Sequence, residues 1–252
     1  MPLVSDSWTP VVMDFTHTYA EDDFPVGQML SWIDCFALKG TNCYCDAEAQ
    51  SVLRSLMQPY DAAGIHFIDS GNYHYISKFW AEKISSPFNL VLYDHHPDMQ
   101  QPRFEGVLSC GGWVRTLLEE SSLLHRVYIV GASGALRSET EDFGNRVVYI
   151  TEEEAMASPP CWERLLATGE NIYLSIDKDV LAETEVQTNW DQGCLTFEML
   201  KKHLASLFLR AHVIGVDICG ENPEESDSVK ILQNKALNRN LCKFITESLE
   251  NQ

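Results

Sequence analysis

Asp94-His95-His96-Pro97-Asp98 and Asp177-Lys178-Asp179 are the stretches whose residue types and spacing could do chemistry. In an extended strand end alternate side chains share a face, so Asp94, His96 and Asp98 point one way and His95 the other; the same alternation joins Asp177 to Asp179. Carboxylates gathered at one sheet edge repel each other strongly unless a cation sits among them or protons are taken up. With His74 from the run Asp69-Ser70-Gly71-Asn72-Tyr73-His74, the set amounts to four carboxylates and two imidazoles. Such a set suits a pair of borderline-hard divalent ions, manganese first, better than a thiolate-preferring site. A lone D-x-D after a strand is ordinarily a solvated turn or a helix cap. A D-x-H-x-D run is a less usual cap, and the two together, each closing a buried-looking strand, favour a metal site.

Each of these groups follows a short apolar run. The runs are Val11-Val12-Met13, Ile65 to Ile68, Leu90 to Tyr93, Val127 to Val130, Val147 to Ile150, Ile172 to Ile176 and Val213 to Val216. They are rich in β-branched residues and continuous rather than alternating, as strands buried on both faces should be. Between them, Asp46 to Met57, Tyr73 to Ile84, Gly112 to Glu120 and Thr196 to Leu209 carry apolar residues at helical spacing. Strand and helix alternate over the whole length, which predicts an α/β fold of three αβα layers around a mainly parallel sheet. No repeat or linker divides the chain, so residues 1–252 read as a single domain. Lys39 to Cys45 and Ala182 to Gly193 read as loops of the size that form functional rims. In such a sheet ligands bind beyond the carboxyl ends of the strands, where the carboxylates and histidines fall.

The 252 residues carry 18 Lys and Arg against 37 Asp and Glu, a formal charge of −19. That excess argues against nucleic acid and anionic membranes as partners, since both need a basic face. A hydrophobic content of 45% excludes disorder for the bulk of the chain. Met1 to Asp6 lacks the pattern of a secretory leader, and no apolar run reaches the roughly 18 residues of a membrane span. Eight scattered cysteines read as reduced thiols in a cytoplasmic protein, and Cys43-Tyr44-Cys45, without a second pair, as loop cysteines rather than a zinc site. The tryptophans are expected in the core, except Trp190, which sits in the polar loop beyond Asp179 as a candidate pocket wall.

These residues resemble the arginase and agmatinase (ureohydrolase) family. Asp94 to Asp98 is similar to its D-A-H-x-D run, Ser175 to Leu181 to its S-x-D-x-D-x-x run, and Ser70 to His74 occupies the place of its G-G-D-H segment. Gly193-Cys194-Leu195-Thr196 resembles its G-G-L-T step, and Asp217 to Pro223 its D-I-x-E-x-N-P segment, with one extra residue before Glu221. Order and rough spacing match from about residue 64 to 223, whereas residues 1–60 are divergent. The resemblance implies an arginase/deacetylase-like fold and two manganese ions. His74, Asp98 and Asp177 would hold one ion and Asp94, His96 and Asp179 the other, with Asp94 and Asp177 as bridges. It further implies hydrolysis of a linear C–N bond by a hydroxide shared between the ions, on a small cationic guanidino or amidino substrate. Glu221 would pair with the cation and Asp98 would relay the proton. Homo-oligomeric rings are common in that family.

The chain departs from the arginase pattern in several ways. Ala182-Glu183 replaces the D-P that follows the second acid pair, and Cys110 falls where the family carries a proton-shuttling histidine. A thiol of ordinary pKa could act as an acid but matches neutral pH less well; as a plain packing residue it would be a small buried side chain before a helix. Gln100 replaces the Asn that helps to read the amino-acid part of arginine, so another substrate is expected. His95 is either a supporting partner of the ligands or a packed strand-end residue, and Glu221 either a substrate anchor or a surface acid. Three alternatives stand beside this reading. One is a single-metal amide deacetylase of the same fold. Another is a two-metal phosphoesterase, whose downstream segments are missing after Asp98. The last is a non-catalytic, ligand-binding member.

Overall fold

The apolar runs become neighbours in one parallel sheet of eight strands, in a computed structural model that describes residues 9–252. Met1 to Asp6, where no leader is legible, lies outside the described residues. The strands are β1 (Val11–Asp14), β2 (Ser31–Asp34), β4 (Ile65–Phe67), β5 (Phe88–Tyr93), β7 (Leu124–Ala132), β8 (Val147–Thr151), β9 (Asn171–Asp177) and β10 (His212–Cys219). Their order across the sheet is β2-β1-β4-β10-β9-β5-β7-β8. A separate antiparallel pair joins β3 (Tyr44–Cys45) to β6 (Leu108–Ser109). No helix among the described residues is long and apolar enough to cross a membrane.

Alternation along each strand divides the core into two layers. Leu90, Leu92, Val127 and Ile129 pack with α1 (Ala47–Met57), α2 (Ile76–Ala81) and α3 (Trp113–Glu120) on one face. Val91, Tyr93, Ile172, Leu174 and Ile176 pack with α6 (Phe197–Arg210) and α7 (Ser228–Leu249) on the other. Two short helices follow, α4 (Glu152–Ala157) packed on β7 and β8, and α5 (Trp162–Leu165) packed against α6 and Tyr128 of β7. The helix starts follow local chemistry. Asp46 accepts from Ala49 N and Thr196 from Met199 N, while Thr151 and Glu154 form a reciprocal capping box.

Three elements differ from the sequence expectation. The helix read over Tyr73 to Ile84 is shorter, because a 3₁₀ turn at Gly71–Tyr73 precedes it and carries the chain to His74. Edge strand β2 is too polar, Ser-Trp-Ile-Asp, to stand out as a buried run. Helix α7 escapes detection because Asn234 and Asn238 occupy its buried face beside Leu237 and Leu241, which breaks the apolar period.

Candidate metal centre

Four neighbouring strands, β4, β10, β9 and β5, end side by side, and the acids and histidines leave from their carboxyl ends. His74 Nδ1 lies 3.2 Å from Asp94 Oδ2, 3.0 Å from Asp98 Oδ2 and 3.5 Å from Asp177 Oδ2. His96 Nδ1 lies 2.9 Å from Asp179 Oδ2 and 3.5 Å from Asp94 Oδ1. Two groups therefore form, His74/Asp94/Asp98 and Asp94/His96/Asp179, and Asp94 belongs to both. A third set, His74/Asp177/Cys219, overlaps the first, with the Cys219 thiol 3.0 Å from Asp177 Oδ2. Sequence reasoning missed Cys219; its place at the end of β10, beside the Asp177 strand end, was the available signal.

The chain spends side chains and backbone amides on aiming these groups. Asp98 sits in the left-handed region at φ 51 and accepts from Trp113 Nε1 at 2.6 Å, while its carbonyl receives the first amides of α3. Asp179 Oδ1 accepts from His95 N at 2.9 Å, and Asp177 Oδ1 from Asp179 N at 2.9 Å. His74 Nε2 meets Ser175 Oγ at 2.9 Å, which in turn donates to Asp217 Oδ1 at 2.6 Å. That relay requires the proton on Nε2, leaving Nδ1 free to ligate. Gly71 and Gly220 keep the floor open. A Cβ on Gly220, whose φ is +98°, would stand 2.5 Å from Asp177 Oδ1, and one on Gly71 3.1 Å from Asp177 Oδ2.

The electrostatics show why this cluster suits cations. Burial raises Asp98, Asp177 and Asp179, the last to about 6 despite its bond from His96. Burial alone would strip the imidazoles of charge. Instead hydrogen bonds and charge from Asp179 and Asp94 lift His96 to about 12, and Cys219, Asp94 and Asp98 carry His74 well above its ordinary value. Without cations the cluster thus holds protons to balance its acids, and the same donor set, oxygen and imidazole, fits hard or borderline divalent ions.

These residues line the floor of a cavity of about 220 Å³, and Gln100, Cys110 and Trp190 line its walls. Trp190 is 40% exposed, meets His96 edge-on with centroids 6.0 Å apart, and donates from Nε1 to Asn72 Oδ1. Asn72 also bonds Asn42, so three loops join along the rim. Cys43, read as a loop cysteine, reaches the same wall. Glu139, which nothing in the sequence singled out, does too. Its Oε2 is buried without a partner, and burial raises its carboxyl.

One expectation needs correction. Glu221 is absent from the cavity wall. Its carboxylate pairs with the fully buried Lys178 and accepts from Asn238 of α7. Beyond the end of β10 the chain turns at Gly220, φ +98°, and the amides of Gly220 and Glu221 both bond Asp69 O, which carries the Glu221 side chain toward Lys178. Asp69, at the mouth of β4, serves the sheet rather than the site. It binds the amides of Phe15 and Thr16, tying the end of β1 to β4. His95 supports Asp179 through its amide, while its ring lies 3.4 Å from Glu152 of α4.

A model of the arginase family matches residues 39–238, beyond the motif-bearing stretch at both ends. An uncharacterized protein of Thermotoga maritima is 32% identical over 175 residues, 69% of this chain and 65% of its own; the match spans a little under two thirds of that relative. Among solved structures, a hypothetical agmatinase from Burkholderia thailandensis superposes with a TM-score of 0.65 at 16% identity, over 96% of this chain and 87% of the other. The agmatine ureohydrolase of Thermoplasma volcanium gives 0.64 at 14%, over 97% and 90%. The formimidoylglutamase of Bacillus subtilis gives 0.65 at 14%, over 96% and 87%. At these identities the structures establish the shared fold.

Proposed function

The chain belongs to the arginase family, and from that premise we propose that it hydrolyses a linear, non-peptide C–N bond in a small guanidino or amidino compound other than arginine. The observation that carries the proposal is the pair of buried groups sharing Asp94 on the cavity floor. Two overlapping groups support two ions, manganese first. His74, Asp98 and Asp177 would hold one, His96 and Asp179 the other, with Asp94 and Asp177 between them. When bound, two divalent ions would lower the pKa of a water between them and supply the nucleophile near neutral pH.

The protein's own contribution is aim and proton handling. Ser175 and Asp217 hold the His74 ring in one tautomer. Asp98, held by Trp113 Nε1, would accept a proton from the attacking water, and Cys110 on the wall would pass one toward the leaving amine. Cation recognition moves from Glu221, which is committed to Lys178, to Glu139, whose carboxylate faces the cavity with an unpartnered oxygen. Gln100 and Trp190 supply the polar and aromatic walls.

A urea-release assay on manganese-loaded protein over a panel of guanidino compounds, with ammonia release read in parallel for amidino ones, tests the proposal. Turnover that disappears in Asp177→Asn is the expected result. Silence across the panel with two ions bound per chain would move the reading to a ligand-binding member, which Cys110 in place of a histidine otherwise favours.

A further inference from the structure

Cys43 and Cys110 come from segments far apart in sequence and meet on the cavity wall. The β3–β6 ladder pairs Tyr44 with Ser109 and Cys45 with Leu108, so one step further sets Cys43 opposite Cys110. The hydrogen bond from Cys110 N to Cys43 O, 2.9 Å, extends the ladder to that step. Just past the ladder Cys43 turns into the left-handed region at φ 58 and Cys110 opens a 3₁₀ turn, and the two sulfurs lie within hydrogen-bond reach of each other, close enough to be joined with a small adjustment.

We infer that Cys43 and Cys110 form a reversible disulfide across the mouth of the cavity, with hydrogen peroxide as oxidant. Cys43 attacks the peroxide oxygen, breaking the O–O bond and leaving a sulfenic acid and one water. Cys110 then attacks that sulfur, the S–S bond forms, and the sulfenic oxygen leaves as a second water carrying the thiol proton. Two thiols are oxidised and one peroxide is reduced. The environment of the pair suits this order. Cys35, Cys45 and Cys242 are each pushed up to about 12 by burial. Cys43 is drawn down to about 7 because the Cys110 thiol donates to it, which makes Cys43 the attacking thiol and Cys110 the resolving one. Oxidation staples the Lys39 to Cys45 loop to the turn that opens α3 and consumes the Cys110 thiol.

The test uses the full chain, reduced and then treated with hydrogen peroxide. Alkylation and peptide mapping should find Cys43 linked to Cys110, with the intact mass lower by two hydrogen atoms and restored by dithiothreitol. Cys45→Ser should leave the link in place, and Cys110→Ser should let dimedone trap a sulfenic acid at Cys43. Cross-linked peptides joining other cysteines first, or over-oxidation of Cys43 with Cys110 still free, would overturn the inference. Neither substrate nor metal is needed, so its failure would leave the hydrolase proposal untouched.

Discussion

Loading the chelator-stripped protein with manganese should release protons, and the geometry sets how many. Bonds and charge from the surrounding acids raise His96 to about 12 and His74 well above the usual imidazole range, so without metal both rings hold a second proton more strongly than a free imidazole. Each must surrender its Nδ1 proton to ligate, which gives about two protons released per pair of ions. Asp179, raised to about 6, adds to the release as pH falls toward that value. Protons compete with metal, so the product of the two binding constants should rise about a hundredfold per pH unit near neutrality. In the metal-free protein the His96 contribution runs in the raised-pKa sense. It is present in full below about 6.5 and lost progressively as pH climbs toward about 12. Free metal at about a hundred times its dissociation constant stabilises by roughly 2.7 kcal/mol per site, or about 5 kcal/mol for two. For a chain of this size that is a rise in Tm of about 10–20 °C. Titration calorimetry in two buffers of different ionisation enthalpy reads the protons, and scanning calorimetry the shift. Tight binding of two ions with no proton release would refute the electrostatic reasoning; one ion per chain, unaffected by Asp94→Asn, would refute the shared-ligand arrangement.

Other perturbations separate the parts of the site. Ser175→Ala frees the His74 ring and should weaken the ion it holds by about 10–100-fold, read by chelator competition. Glu221→Gln leaves the Lys178 ammonium buried without its counter-charge and should cost about 3–5 kcal/mol in urea unfolding; unchanged stability with a raised KM would restore Glu221 as the substrate anchor. Gly220→Ala forces a Cβ against Asp177 at φ +98° and should lower metal content at limiting manganese while far-UV circular dichroism keeps the fold. Cys110→Ala should reduce kcat about a hundredfold with two ions still bound, the loss expected for a proton carrier; an unchanged kcat would remove Cys110 from the mechanism.

The sheet was legible because its strands are buried on both faces and so read as apolar runs, as Leu90 to Tyr93 and Ile172 to Ile176 do. The clustering of acids and histidines was legible because a parallel sheet forces chemistry to the strand ends, and Asp94, His96 and Asp98 converge even where the chain bends at Asp98. What stayed hidden depends on contacts between distant segments. Glu221 reads as a free acid until Lys178 is seen beside it, and Cys43 as a loop residue until the β3–β6 ladder brings it to Cys110. Helix α7 hides because its inward face carries amides whose partners lie elsewhere, Asn234 on the Gln187 backbone and Asn238 on Glu221.

Lys178 stands between the two acids Asp177 and Asp179, and its ammonium is gripped by Glu221 and by Asn238, sixty residues downstream. The cavity floor is thereby founded on α7. A version shortened before Asn238 would keep every ligand and all eight strands, yet leave a buried ammonium half-held beneath the acids it should steady. Through its inward amides, helix α7 thus bears on residues that lie far from it in sequence.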